Sequence, residues 1–281
     1  MGENQVVKLV VDQTPPDPTR PTHAKQHIKR IGVCSVFPTI PIGPLRLQTM
    51  GLFVLAAYFA GLWLAARQAR RHGVDGDHVY NAGFYALIVG LVAARLGHVV
   101  AYLEVYRADP LQIISLSLGA FLLLPGVLGA LAMLAIYLWR HKLSFVQMAD
   151  IFAPGVLLGL VIVELGAFLA GRGLGGLSTL PLAIEQFGVR RHPVALLDAL
   201  ATLALLIVLL WIDRKRAPKP GRLALMAAFG YATIVLFLEP LRAASPIIGD
   251  GWRLPQVVAL LVVAVSGWLL GKTQTRRVLN P

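Results

Sequence analysis

The chain has 281 residues, 57% of them hydrophobic and 14% charged, with a mean hydropathy of +0.69 and a formal net charge of +12. That apolar excess is more than a water-soluble core of this size needs, and several runs approach the span of a bilayer, so the chain reads as a polytopic membrane protein. Its lysines and arginines sit in short clusters just after apolar runs, which points to membrane topology and contact with anionic lipid and away from a nucleic-acid groove.

Residues 1–36 are polar, rich in proline and lysine, and lack apolar periodicity, as expected of a disordered tail. The lone cysteine, Cys34, excludes an internal disulfide framework and a thiol pair for a metal. Its setting, IGVCS, reads as neither a lipoprotein cleavage site nor a signal peptide. FPTIPIGPLRL (37–47) alternates prolines with apolar residues, which suits an extended, interfacial arm.

Seven spans follow, at roughly 49–66, 82–103, 116–138 (interrupted at Pro125), 149–170, 194–212, 222–238 and 254–270. At about 20 residues each they have the length for an all-α integral membrane bundle of seven transmembrane helices. The membrane domain is expected to cover 37–272, with a basic tail at 273–281. The loops after spans one, three, five and seven hold 13 of the lysines and arginines, against 6 after spans two, four and six. The positive-inside rule therefore puts the N-terminus outside and the C-terminus in the cytoplasm, although 6 more basic residues ahead of span one argue the other way.

Ionisable residues inside spans are costly and are functional candidates by default. Arg95 lies mid-span, one helical turn from His98; it either meets substrate or pairs with an acid such as Glu164. Asp150 and Asp198 lie near span ends and read as caps or interface residues. Glu239 and Arg242 are i,i+3 partners after span six, either a surface pair or, with Tyr231 two turns earlier, the lining of a cavity. Glu164 and Arg172 stand in VELGAFLAGRGLGG (163–176), at the far end of span four. Glycines recur through spans two to four, allowing close helix approach. No CxxC, P-loop or GxSxG pattern is present, so spacing points to no thiolate metal site and no nucleotide.

The ordered set of segments resembles the bacterial prolipoprotein diacylglyceryl transferases over roughly residues 37–272. IGPLRLQTMGL is similar to the family's arm and first span, and AARLGHVVAYL to its GRIGY segment. LSFVQMADIFAP resembles the start of the family's fourth span, RRHPVALLDAL its RHPSQLYE motif, and GYATIVLFLEPLR its sixth span. The resemblance implies transfer of diacylglyceryl from phosphatidylglycerol to the lipobox cysteine of a lipoprotein precursor, with glycerol-1-phosphate released. It implies the bacterial inner membrane, with no metal and no soluble cofactor. Such chemistry needs cations for the departing phosphate and a base for the thiol.

VELGAFLAGRGLGG resembles the family signature GRxGNFxNGExxG through Gly166, Phe168, Gly171 and Gly175, but not in its polar residues. The family's arginine falls on Glu164, its asparagines on Ala167 and Ala170, and its glutamate on Arg172. Its histidine of span three falls on Leu124 and its arginine of span six on Val235, leaving Arg95, Tyr231, Glu239 and Arg242. Two readings follow. In one, acid and base have exchanged roles, Arg172 facing the phosphate while Glu164 pairs with Arg95. In the other, the exchange preserves only an internal ion pair, and the chain is a degenerate homologue that binds phospholipid or lipoprotein without chemistry. A transporter using Arg95, Glu164 and Arg172 as a polar path is a third reading, with no paired broken helices to favour it.

Overall fold

A computed structural model describes residues 37–42, 45–109, 121–180, 183–216, 218–249 and 251–278. The expected tail at 1–36 and the last residues of the C-terminal tail lie outside these. The arm is a two-stranded antiparallel hairpin, β1 (Thr39–Ile42) and β2 (Leu45–Gln48). It is tied to the bundle by the Phe37 amide donating to Leu169 O (2.9 Å) and by the Thr49 hydroxyl donating to Phe37 O.

The helices are α1 (Thr49–Arg71), α2 (Gly76–Ala101), α3 (Leu103–Ala108), α4 (Leu123–Arg140), α5 (Phe145–Leu169), α6 (Val194–Arg216), α7 (Arg222–Leu238) and α8 (Leu254–Val278). Among the described residues seven of these, all but the short α3, are long and apolar enough to cross a membrane. The molecule is therefore an all-α integral membrane bundle. Two further hairpins, β3 (Ile184–Gln186) with β4 (Val189–Arg191) and β5 (Ile247–Ile248) with β6 (Trp252–Arg253), lie in the loops after α5 and α7.

Several ends differ from the sequence expectation, and the physics is local. α1 continues through Arg70 and Arg71, and α6 through Arg214, Lys215 and Arg216, because cations in a last turn suit the negative end of the helix dipole. α2 starts six residues early, capped by Asp75, whose side chain accepts from the Asp77 amide (3.0 Å). Pro125 does not interrupt α4. It sits in the first turn, where its missing N–H is no loss.

Asp150 caps a neighbouring helix. It is buried, and its carboxylate accepts from the amides of Gly221 (2.5 Å) and Ala224 (2.7 Å) at the start of α7. The orphan donors of one helix are thus satisfied by the side chain of another.

The bundle has a basic end, carrying the clustered lysines and arginines, and a far end carrying the hairpins. At the basic end Ala65, Ala69, Val79, Tyr137, Met148 and Ile151 bring α1, α2, α4 and α5 into one apolar core. A second core, including Leu64, Leu157, Leu206, Leu209 and Leu223, joins α1, α5, α6 and α7. Trp63, Trp139, Trp211 and Trp268 are all exposed towards the basic ends of α1, α4, α6 and α8. Basic side chains fold over three of them: Arg67 on Trp63 (5.5 Å), Arg216 on Trp211 (6.0 Å) and Lys272 on Trp268 (3.7 Å). This is the aromatic belt of a membrane interface.

Above the first core the helices pack as two pairs, α1 with α5 and α2 with α4. In the first pair Gly61 and Gly155 meet backbone to backbone, and a Cβ on Gly61 would stand 2.8 Å from Gly155 O. In the second, a Cβ on Gly126 would stand 2.9 Å from Ala94 Cβ. Between the pairs lies an apolar cleft of about 720 Å³, lined among others by Val54, Leu87, Phe121, Phe152 and Val163. On α2 it runs from Ala82 to Ala94, about 18 Å of helix at 1.5 Å per residue. Tyr58 lines it, with a buried hydroxyl that has no partner among the described residues.

The Gly155 contact yields a test. Gly155→Ala forces its new carbon into the Gly61 carbonyl and should lower stability by about 1–3 kcal/mol, read as the thermal unfolding midpoint in detergent. Gly51→Ala, whose added carbon meets nothing within 4 Å, should leave the midpoint unchanged or raise it.

Candidate functional site

α5 ends at Leu169, and left-handed Gly171 (φ 67°) and Gly173 (φ 66°) turn the chain back across the far end. The returning strand meets the segment after α7: Gly176 N donates to Leu241 O (2.8 Å), Ala243 N to Leu174 O (2.9 Å), and Gly175 bridges Arg242. Gly175 must be glycine here, since a Cβ would overlap the His192 carbonyl. A 3₁₀ turn, Glu239–Leu241, then releases Arg242 into extended backbone (ψ 138°).

This places the Arg242 guanidinium among three carboxylates. Its Nη2 lies 2.8 Å from Asp198 Oδ2 on α6 and 3.1 Å from Glu164 Oε1 on α5, and its Nε lies 3.4 Å from Glu239 Oε2. The Asp198 side chain is only 2% exposed and also accepts from the Thr202 hydroxyl (3.2 Å). The Ser245 hydroxyl donates to Glu239 Oε1 (2.5 Å). Arg253 reaches in from β6, its Nη1 donating to the carbonyls of Glu239 (2.6 Å) and Arg242 (3.0 Å). With every group ionised, three carboxylates stand against Arg242 and Arg253, an excess of negative charge. Glu164 Oε2 is buried and accepts no hydrogen bond from any described residue.

The six candidate residues separate. Glu164, Glu239 and Arg242 are in direct contact, and Tyr231, packed on the second core, stands within electrostatic reach of all three and of Asp198. Arg172 is exposed, and its side chain has no hydrogen bond or ion pair to a described residue. It flanks Gly173, where a Cβ would be 3.6 Å from Arg242 Nη1. Arg95 lies elsewhere, over the rings of Tyr106 (5.6 Å) and Phe121 (5.7 Å) at the rim of the apolar cleft. His98 Nδ1 is 3.0 Å from the Tyr106 hydroxyl beside it.

Two expected pairings are therefore corrected. Glu164 takes its cation from Arg242, neither from Arg95 nor from Arg172, because the loop after α5 carries Arg172 outward while the bridge at Gly175 draws Arg242 inward. Nor are Glu239 and Arg242 a surface pair. Asp198, read from the sequence as a cap or interface residue, is part of the cluster. Its signal lay in RRHPVALLDAL, where it falls on the acid closing RHPSQLYE. Arg253 and Ser245 carried no signal, since only the fold of the loop after α7 brings them in.

The bundle and its far-end cluster define an integral membrane protein with a lipid-sized apolar cleft and a separate buried polar site. The family model for prolipoprotein diacylglyceryl transferase matches residues 38–271. Among similar proteins is a phosphatidylglycerol–prolipoprotein diacylglyceryl transferase of Thermosynechococcus vestitus, 29% identical over 82% of this chain and 90% of that protein. Proteins of the same name in Bacillus cytotoxicus and Synechococcus elongatus are 30% and 28% identical, over 81% and 83% of this chain and 88% and 86% of their own lengths. The chain belongs to the prolipoprotein diacylglyceryl transferase family.

Removing Arg242 leaves three carboxylates around an empty centre. Arg242→Ala should cost about 3–5 kcal/mol of stability, seen as a lower unfolding midpoint, and adding Glu164→Gln with Asp198→Asn should recover part of it. An Arg242→Ala protein as stable as the parent would mean the cluster is not what holds α5, α6 and α7 together.

Proposed function

We propose that this chain transfers diacylglyceryl from phosphatidylglycerol to a lipobox cysteine thiol, in a bacterial cytoplasmic membrane with its N-terminus outside. What supports the reading is a carboxylate oxygen, Glu164 Oε2, that accepts no hydrogen bond from any described residue, with Arg172 exposed in the loop that follows α5. The thiol proton passes to Glu164 as the carbon–sulfur bond forms. The carbon–oxygen bond to phosphate breaks, and glycerol phosphate leaves with its charge paired to Arg172. The apolar cleft, with Arg95 at its rim over Phe121 and a Tyr58 hydroxyl that has no partner among the described residues, is suited to the two acyl chains and their ester oxygens. Tyr231, Glu239 and Arg242 hold Glu164 in place. The orientation rests on the basic end facing the cytoplasm.

A second reading has its own observation. Arg242 is consumed by three carboxylates, and their excess charge repels a phosphate. On that reading the chain binds phospholipid or a lipoprotein precursor without chemistry.

The purified protein incubated with phosphatidylglycerol and a lipobox peptide decides between them. A thioether-linked diacylglyceryl adduct on the peptide, with glycerol phosphate released, is the expected result, and lipid retention without adduct supports the second reading. Arg172→Ala should lower the rate roughly 100- to 1,000-fold with an unchanged unfolding midpoint. An undiminished rate in that variant would sink the exchanged roles of Arg172 and Glu164.

A further inference from the structure

At the basic end, far from the carboxylate cluster, a second cleft of about 420 Å³ is lined by Arg71 and His72 at the end of α1 and by Asp213 and Arg214 near the end of α6. A partly buried bridge joins α1 to α6 beside it. Gln68 Nε2 donates to Asp213 Oδ2 (2.9 Å), and His72 Nε2 lies 3.3 Å from Asp213 Oδ1. The His72 carbonyl in turn accepts from Gln147 Nε2 (2.9 Å), which ties the same corner to α5. Asp213 Oδ2 is thereby engaged, while His72 Nε2 makes no hydrogen bond to a described residue.

The arginines on either side of this bridge are left over. Arg71 is next to His72 in sequence and Arg214 next to Asp213, yet neither has an ion pair or hydrogen bond through its side chain to any described residue. Their helix neighbours behave differently, Arg67 and Arg216 lying on Trp63 and Trp211. Two guanidiniums facing one cleft repel each other, and an anion between them relieves that repulsion. The depth is also telling. Arg71 lies two turns beyond Trp63 and Arg214 one turn beyond Trp211, on the water side of the aromatic belt.

We propose that Arg71 and Arg214 form a site for a phosphate anion, with the headgroup of an anionic phospholipid in the basic-end leaflet as its main source. Basic pockets between spanning helices on that side are suited to such headgroups, and a planar guanidinium pairs with two phosphate oxygens at once. The site is independent of the transfer chemistry and lies at the opposite end of the bundle from it.

Thermal unfolding of the whole protein in neutral detergent, with phosphatidic acid, phosphatidylcholine or inorganic phosphate added, tests it. Phosphatidic acid should raise the midpoint and phosphatidylcholine should not. Arg71→Gln with Arg214→Gln should weaken the effect roughly tenfold or more for each guanidinium removed, while Arg71→Lys with Arg214→Lys keeps part of it. The comparison is made in an Arg172→Ala background, which removes the phosphate partner proposed at the far end and should still show the shift. A shift with inorganic phosphate that the glutamine pair abolishes supports the anion site and names the free ion as a ligand. In that background a shift that survives in the glutamine pair overturns the proposal, as does the absence of any shift.

Discussion

A single guanidinium organises the far end of this protein. Arg242 holds carboxylates from α5 and α6 and from the turn that ends α7, and each of those acids would be expensive in a low-dielectric bundle without it. The arrangement works in both directions, because the acids also fix where the arginine points. Its backbone is held by the bridge to Gly175 and by Arg253, so the loops on either side are drawn over the same spot. With Arg242 committed to carboxylates, a cation for any other anion at this end has to come from outside the cluster.

Most of the architecture was legible in the sequence, and the misses have a common cause. Seven apolar runs of bilayer length gave seven spanning helices, with the arm before them extended. Helix ends were misjudged wherever a charge marked the edge of an apolar run, as at Arg71 and Arg216. The helix continues while the membrane stops, so hydropathy reports the second and not the first. Pro125 was misread for a related reason, since a proline within an apolar run looks like a break until the helix start is known.

The site was legible in part. A charge deep in a span singled out Glu164, but its partner could not be read from spacing, because the residues that meet come from α5, α6 and the loop after α7. Proximity in sequence favoured Arg172, eight positions away; topology favoured Arg242. Asp198 looked ordinary at the start of α6, where an acid is a common cap, and only burial beside a guanidinium separates that role from the one it has. Asp150, by contrast, does act as a cap, for a helix it is not part of.

The pairing of α1 with α5 also sets the order in which the bundle can be assembled. Synthesis proceeds from the N-terminus, so α1 enters the bilayer with its Gly61 face turned to lipid, and its closest partner emerges only after α2 and α4 have been made. Those two can zip together on their own, as an early hairpin. The insertion of α5 is then the step that covers the Gly61 face of α1, and the cleft lies between the two pairs above their shared core.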